Sequence, residues 1–397
     1  MPRHQRRASV RDFLALEHNI VVMLGALLVI GMGEELWVRF MPKYLEALGA
    51  TALAIGAYGS FKGIVDTLYQ YPGGWLADRM GRKRALTLFN LIAAAGYLLY
   101  LVTTSWQVVI AGTLLVLAWS SMSQPAIFAL IGDTLGKSKR AMGFSVQSIL
   151  KRVPIVVAPV VGGYLLKRMG LVSGMHLAFG ISFVFALAAI YLQSHYYQDT
   201  PPSTDADTAD ARLIWRIMPS SLRRLLLADC LVRFGSNLMA VYVVLWVMNV
   251  HGMSSVQFGA FISLQMMVAI LGYLPAARLA DRYGRQPFIV ATFAFFTLFP
   301  VALVMLPPQW LFLAFVIGGL REIGEPARKA RIVDLAEHAH RGRVVGLYYL
   351  IRGLATIPAP FIGGLLWQQG YSWPFVLGSV ASSLGLVLYA LRPRFSS

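Results

Sequence analysis

Charge is scarce in this sequence. Of its 397 residues only 13% are charged, against roughly 25% in a soluble domain, while 57% are apolar and the mean hydropathy is +0.63. Such a chain is made for lipid rather than for a core hidden from water. Cysteine is nearly absent: Cys230 alone excludes an intrachain disulfide and a cysteine metal site. Acidic residues are outnumbered, with 18 Asp+Glu against 35 Lys+Arg and a formal net charge of +17. That balance would suit nucleic acid if the cations formed one basic face, and they do not. No Ser-His-Asp set or metal-ligand cluster is apparent, and His338 and His340 read as solvated surface. Gly132-Asp133-Thr134-Leu135-Gly136-Lys137-Ser138 lacks the spacing of a phosphate-binding loop and has no strand before it. No enzyme and no cofactor are therefore expected.

Long apolar runs fill the chain instead. A helix needs roughly 20 mostly apolar residues to cross about 30 Å of hydrocarbon. Twelve such stretches lie near 19–41, 52–76, 85–104, 107–132, 142–166, 174–194, 224–248, 256–279, 287–306, 310–333, 344–367 and 373–391. Lipid offers no partner to a free backbone N–H or C=O, so these runs are expected to be helices, an all-α membrane protein. The stretch after the polar start, Met1 to Glu17, leads to Gly33-Glu34-Glu35-Leu36-Trp37, which is no small-residue cleavage site; it reads as a first, uncleaved span.

The cations test this layout. With the N-terminus in the cytoplasm, 25 Lys+Arg fall in the termini, the inner loops and the inner ends of the spans, and only Lys43, Lys167 and Arg168 fall in outer loops. The inside bias places both termini in the cytoplasm of a bacterial-type plasma membrane, with anionic headgroups as a further attraction. His195 to Ser221 is the longest polar segment, rich in Asp and Pro, and reads as a linker. Leu213 to Met218 within it is expected as a short helix on the membrane surface. The division is residues 1–194, a linker 195–222, and 223–397, with six spans in each half.

The halves repeat one template. Leu76-Ala77-Asp78-Arg79-Met80-Gly81-Arg82 recurs as Leu279-Ala280-Asp281-Arg282-Tyr283-Gly284-Arg285 at a displacement of 203. Pro72 then meets Pro275, Gly56 meets Gly259 and Glu34 meets Asn237. At 201, Pro125, Asp133, Arg140, Pro159 and Gly162-Gly163 meet Pro326, Asp334, Arg341, Pro360 and Gly363-Gly364. Register held over more than a hundred residues marks an internal duplication, as in secondary transporters built from parallel repeats.

Gly73-Gly74-Trp75-Leu76-Ala77-Asp78-Arg79-Met80-Gly81-Arg82-Lys83-Arg84 resembles the signature loop between spans 2 and 3 of the major facilitator superfamily, and its weaker copy sits between spans 8 and 9. The resemblance, to the twelve-span bacterial members, implies two pseudo-symmetric six-helix bundles rocking about a central site in a monomer. It puts spans 1, 4, 7 and 10 around the pathway and 2, 5, 8 and 11 beside them. The loop makes a latch. Gly74 belongs to its opening, Gly81 and Gly284 allow tight turns, and Asp78 and Asp281 can accept from a helix N-terminus. Arg79, Arg82 and Lys83, like Arg282 and Arg285, can pair with Asp133 or Asp334. Ala158-Pro159-Val160-Val161-Gly162-Gly163 resembles the end of a motif of proton-linked exporters, but close helix packing explains it as well.

Intramembrane charges cost at least about 2.5–3.5 kcal/mol each on insertion scales and normally face a cavity. This chain has Glu34 and Glu35 in span 1, Lys62 and Asp66 in span 2, and Lys151 and Arg152 in span 5. Arg233 lies in span 7 beside Asn237, while span 10 carries Arg321, Glu322 and Glu325 and span 11 carries Arg352. Spacing of four residues places Lys62 with Asp66, Arg321 with Glu325 and Glu35 with Arg39 on shared helix faces. Six cations against five carboxylates point to an anionic or zwitterionic solute held by Lys and Arg. Glu34, Asp66 and Glu325 are the proton-coupling candidates. Glu34 leads, because Asn237 at the equivalent place shows that the scaffold needs no ionisable group there. Glu35, Lys62, Lys151, Arg152, Arg233, Asn237, Arg321, Glu322 and Arg352 are the candidates for the solute. Trp119, Trp246 and Trp310 could stack on it. The expected partners are a small-molecule solute and the lipid bilayer, with a proton gradient as the energy source. Export is slightly favoured. An uncoupled facilitator, an importer, a lipid or lysolipid transporter and a non-transporting sensor are the alternatives.

Overall fold

The computed structural model describes residues 18–124, 127, 140–197, 215–216, 218–335 and 341–391, and among these no residue is in a strand. Helices come in sixteen pieces. The first set is α1 His18–Glu35, α2 Met41–Ala47, α3 Ala52–Met80, α4 Arg82–Val102, α5 Trp106–Leu117, α6 Arg140–Met169 and α7 Leu171–Tyr196. The second set is α8 Ser220–Ala240, α9 Val243–Leu245, α10 Ser255–Tyr283, α11 Arg285–Met305, α12 Leu311–Leu320, α13 Glu325–Leu335, α14 Arg341–Thr356, α15 Ala359–Gln369 and α16 Trp373–Ala390.

Over the described residues, each of the twelve apolar stretches falls on a helix or on a broken run of helix. Among the described residues seven helices are long and apolar enough to cross a bilayer, or eight if α8 and the segment Val243–Val250, bent 45° from it, are one span. The stretches that fall short are the second, fourth, fifth and tenth. The second, fifth and tenth carry candidate charges, and the fourth and tenth are interrupted.

The duplication is visible in how the helices start and stop. The hydroxyl of Thr51 caps α3 by accepting from Ala54 N (3.3 Å), and Ser254, its counterpart at 203, caps α10 in a reciprocal capping box with Gln257. Both 29-residue helices end at a glycine with positive φ, Gly81 at 84° and Gly284 at 89°, a turn that costs a side chain dearly. Breaks recur as well. The fourth stretch contains a π-helical turn at Ala118–Met122, and the tenth unwinds at residues 321–324, one repeat later.

The His18 ring bonds the Tyr196 carbonyl (2.7 Å) and the Arg224 guanidinium donates to the Leu388 carbonyl (2.7 Å). The described chain ends therefore gather at one end of the helices, called the near end. Helices of each set pack chiefly among themselves, α1 and α4 on α7 in the first, α8 and α11 on α16 in the second. Two seams join the sets, α3 against α15 and α6 against α10. At both seams glycine brings backbones together: a Cβ on Gly56 would meet the Pro360 carbonyl, and one on Gly259 the Pro159 carbonyl. Pro159, Gly162 and Gly163, with Pro360, Gly363 and Gly364, thus serve close packing in both repeats.

Candidate functional site

The charged side chains of the spans collect in two groups, one in each set. In the first, Glu34 sits at the last turn of α1, where the helix breaks before a 3-10 turn at Val38–Phe40. Its charged neighbours are Lys62, Glu35, Asp66 and Lys151. Glu35 instead chelates Arg39 (2.9 and 3.2 Å), the pair that the four-residue spacing predicts. Among the described residues Glu34, Lys62 and Lys151 have no hydrogen bond or ion pair. Tyr58 and Tyr97 line the same space, and the Tyr97 hydroxyl lies beside the indole of Trp119.

Two expected pairs do not form. Asp66 accepts from the Ser121 hydroxyl on the π-helical turn rather than pairing with Lys62. Four-residue spacing puts two side chains on one face but does not hold them together when a neighbouring helix offers a closer donor. Arg321 and Glu325 are parted because the helix unwinds between them at Gly324, whose Cβ would strike the Phe288 carbonyl. Arg321 donates to the Gly318 carbonyl (3.0 Å) and lies over Phe296 and Phe299, at 5.0 and 4.2 Å from their centroids, as a cation does on an aromatic face.

Glu325 belongs to a second, denser group. Arg233 donates to it, and Arg328 binds it through two nitrogens (2.6 and 3.2 Å). Arg328 also reaches Asp229 (2.5 Å), which accepts from the Tyr348 hydroxyl (3.0 Å) and from Arg352 (3.5 Å), with Arg233 at 3.6 Å. Asp229 is wholly buried and Arg328 is 2% exposed. Neither was among the sequence candidates. Their signals were present: Asp229 is four residues before Arg233, and Arg328 three after Glu325. At the repeat displacements the places of Asp229, Arg233 and Arg328 are held by Ala26, Ile30 and Ile127, all buried and apolar. The scaffold packs without this network, so the network is an addition of the second half alone.

One ion pair spans the two groups, Arg152 to Glu322 at 3.9 Å, and Arg152 also lies 5.0 Å over the Tyr273 ring. Asn237, half-buried on α8, is the neutral counterpart of Glu34. Trp119 and Trp246 are buried in the core, the latter donating to the Leu303 carbonyl (2.8 Å), and Trp310 is half exposed on a 3-10 turn. None of the three stands out as a free stacking surface over the charges.

At the near end of the second set Arg285 pairs with Asp334. Asp133, the equivalent of Asp334, lies outside the described residues, as does the Asp281 side chain. Arg82 is buried. Asp78 is exposed and accepts no hydrogen bond among the described residues. Arg79 lies over Trp75 (5.2 Å) and Arg282 over Tyr283 (5.4 Å), postures of an interfacial cation. Gly73, next to Gly74, is the glycine pressed against a backbone, that of Met122.

The hydrogen bonds seen between the sets lie at the far end. Lys43 donates to Asn249 (2.5 Å) and Asn249 to Glu46 (2.7 Å), Tyr242 donates to the Ala52 carbonyl (3.0 Å), and Ser255 to that of Gly163 (2.7 Å). The Phe361 N–H donates to the Ser60 hydroxyl (3.2 Å), and Phe40 stacks edge-on against Phe258. The far end is therefore sealed, and the charged groups sit between that seal and the near end.

The family model of the Major Facilitator Superfamily matches residues 23–254 and 225–397. The chain is 23% identical to the multidrug resistance protein MdtG of Klebsiella pneumoniae, over 86% of this chain and 85% of that one. Its fold is similar to the crystal structure of the nucleoside transporter NupG, with a TM-score of 0.79 at 13% identity, covering 94% of this chain and 99% of the other. It is also similar to an inward-facing bacterial homologue of the iron transporter ferroportin, with a TM-score of 0.75 at 15% identity, covering 94% and 98%.

Proposed function

Because the chain belongs to the major facilitator superfamily, and is thus a membrane transporter rather than an enzyme, we propose that it couples proton movement to export of a small anionic or zwitterionic organic solute. The units that rock are residues 1–194 and 223–397, joined by the linker 195–222, in a monomer with both termini in the cytoplasm of a bacterial-type plasma membrane. The placement of Lys and Arg supports that orientation. In it, the far end, where the two sets are bonded to each other, faces outward and the near end faces the cytoplasm.

Glu34 carries the proposal. It is a carboxyl without a bonding partner among the described residues, set among Lys62, Asp66 and Lys151, at a position the repeat fills with Asn237. Ionised, it can hold the cationic group of a zwitterion whose carboxylate lies on Lys62 or Lys151; protonated, it cannot. Proton and solute then compete at one place, so the proton that enters displaces the solute that leaves, which is the differential binding that export requires. Asp66 and Glu325 are less suited, the first held by Ser121, the second by Arg233 and Arg328. Lys62, Lys151 and Arg321, with Arg152, Glu322 and Arg352 at the rim of the pairs, are the solute's groups. Export rests on relatives such as MdtG, whose name is multidrug resistance protein.

The test is solute flux in reconstituted vesicles with an imposed pH gradient, over a panel of organic anions and zwitterions. Glu34→Gln is expected to abolish acceleration by the gradient while leaving gradient-independent exchange. Flux in the native protein that ignores the gradient would instead make the chain a facilitator, with its carboxylates serving only as salt-bridge partners.

A further inference from the structure

Away from the central charges, a cleft of about 490 Å³ opens on the outer surface of the first helix set, between α4 and α7 at the near end. Lys83, Arg84, Thr87, Leu88 and Leu91 line it from α4, and Ser194 from α7. The helices run antiparallel and are fastened below it by a buried hydrogen bond from Asn90 to Gln193 (2.7 Å), so the cleft is a fixed feature of their packing. We propose that it binds one anionic phospholipid of the near-end leaflet.

Its order of chemistry matches a lipid from head to tail. Lys83 and Arg84 occupy the first turn of α4, and their side chains have no hydrogen bond or carboxylate partner among the described residues, while the Lys83 carbonyl accepts from the Thr87 hydroxyl (2.9 Å). Thr87 comes a turn deeper, with Ser194 across from it, and Leu88 and Leu91 follow. From Lys83 to Leu91 the helix rises about 12 Å at 1.5 Å per residue, the run from a headgroup phosphate into the acyl region. Beyond Leu91 the exposed face of α4 continues as Leu98 and Val102, and that of α7 as Tyr191, Leu187 and Val184. Two apolar stripes flank a cationic mouth. A soluble anion would use the mouth alone and leave the leucine wall without an occupant; a zwitterionic lipid would gain little from two uncompensated cations. The end of α4 that carries them begins at Gly81, in the latch loop, so a bound headgroup would stand beside the moving part.

Native mass spectrometry on the full chain, supplied in turn with phosphatidylglycerol and phosphatidylcholine of matched acyl length, tests this. One phosphatidylglycerol should be retained at least about tenfold more tightly than phosphatidylcholine, since each interfacial cation adds to the attraction for anionic headgroups. Lys83→Gln with Arg84→Gln should reduce retention about tenfold or more, and Lys83→Arg with Arg84→Lys should keep it. Leu91→Glu, at an exposed wall position that leaves the fold alone, should reduce retention as well. Equal retention of the two lipids, undiminished retention by folded Lys83→Gln with Arg84→Gln or by Leu91→Glu, or displacement of the lipid by millimolar inorganic phosphate, would overturn the proposal.

Discussion

Replacing Asp229 by leucine is expected to destabilise the chain by about 3–5 kcal/mol, the cost of breaking a buried ion pair by removing one partner. Asp229 is wholly buried and faces Arg328, Arg233, Arg352 and the Tyr348 hydroxyl. Without it Arg233 and Arg328 share the single carboxylate of Glu325, Arg352 loses its carboxylate partner, and Arg328, at 2% exposure, cannot turn to water. Thermal melting of the solubilised protein reads the effect. The double variant Asp229→Leu with Arg328→Leu should recover much of the loss, because replacing both partners by apolar groups of similar size is often close to neutral. Ala26 and Ile127 at the equivalent places show that the fold admits that solution. Recovery of stability without recovery of transport would place the network in the working of the second half rather than in its folding. A single variant as stable as the native chain would contradict the geometry of the group.

Gly259→Leu is expected to shift the population away from the state sealed at the far end. The Cβ of any side chain at this position falls on the Pro159 carbonyl across the α6–α10 seam, and the same holds for Gly56 against Pro360 across α3–α15. Backbone carbonyls cannot yield as a flexible side chain does. Overpacking costs typically 1–3 kcal/mol, and every 1.4 kcal/mol is tenfold in a population, so the sealed state should lose roughly 5- to 150-fold. The cost falls only on the state in which the seam is closed, which makes the substitution a conformational bias and not merely a defect. Spin labels at Val102 and Met305, repeat counterparts at the far ends of α4 and α11, report the distance in a Cys230→Ser background. It should lengthen in Gly259→Leu and stay unchanged in Gly25→Leu, where a Cβ meets nothing within 4 Å. A lower melting temperature with no change in distance would reduce the effect to ordinary strain.

Much of this was legible in the sequence because lipid leaves the backbone so few options. Apolar runs placed the helices, and the recurrence of Asp-Arg-x-Gly-Arg exposed the repeat that the caps Thr51 and Ser254 and the turns Gly81 and Gly284 display. Glu35 and Arg39 met as their spacing required. Lys62 and Asp66 have the same spacing and did not meet, because Ser121 approaches from another helix. Spacing describes one helix; pairing is decided by the next one. Arg321 and Glu325 failed for a different reason, a break whose cause is the crowding of Gly324 against α11. Asp229 was hidden in Leu225-Leu226-Leu227-Ala228-Asp229-Cys230, where it looks like a single polar interruption of a span. Aligning the halves would have found it, since Ala26 and Ile30 stand where Asp229 and Arg233 do.

On the proposed function, the two halves open and close the two ends in turn around the charges between them. The direct measurement is a pair of distances in the otherwise native chain, Val102 to Met305 at the far end and Tyr196 to Leu391 at the near end, all exposed positions. Both are taken in lipid across a pH series, with and without a transported solute. Alternation predicts opposite changes, the far-end distance lengthening as the near-end distance shortens. Two distances that stay fixed under every condition, or that lengthen together, would contradict it.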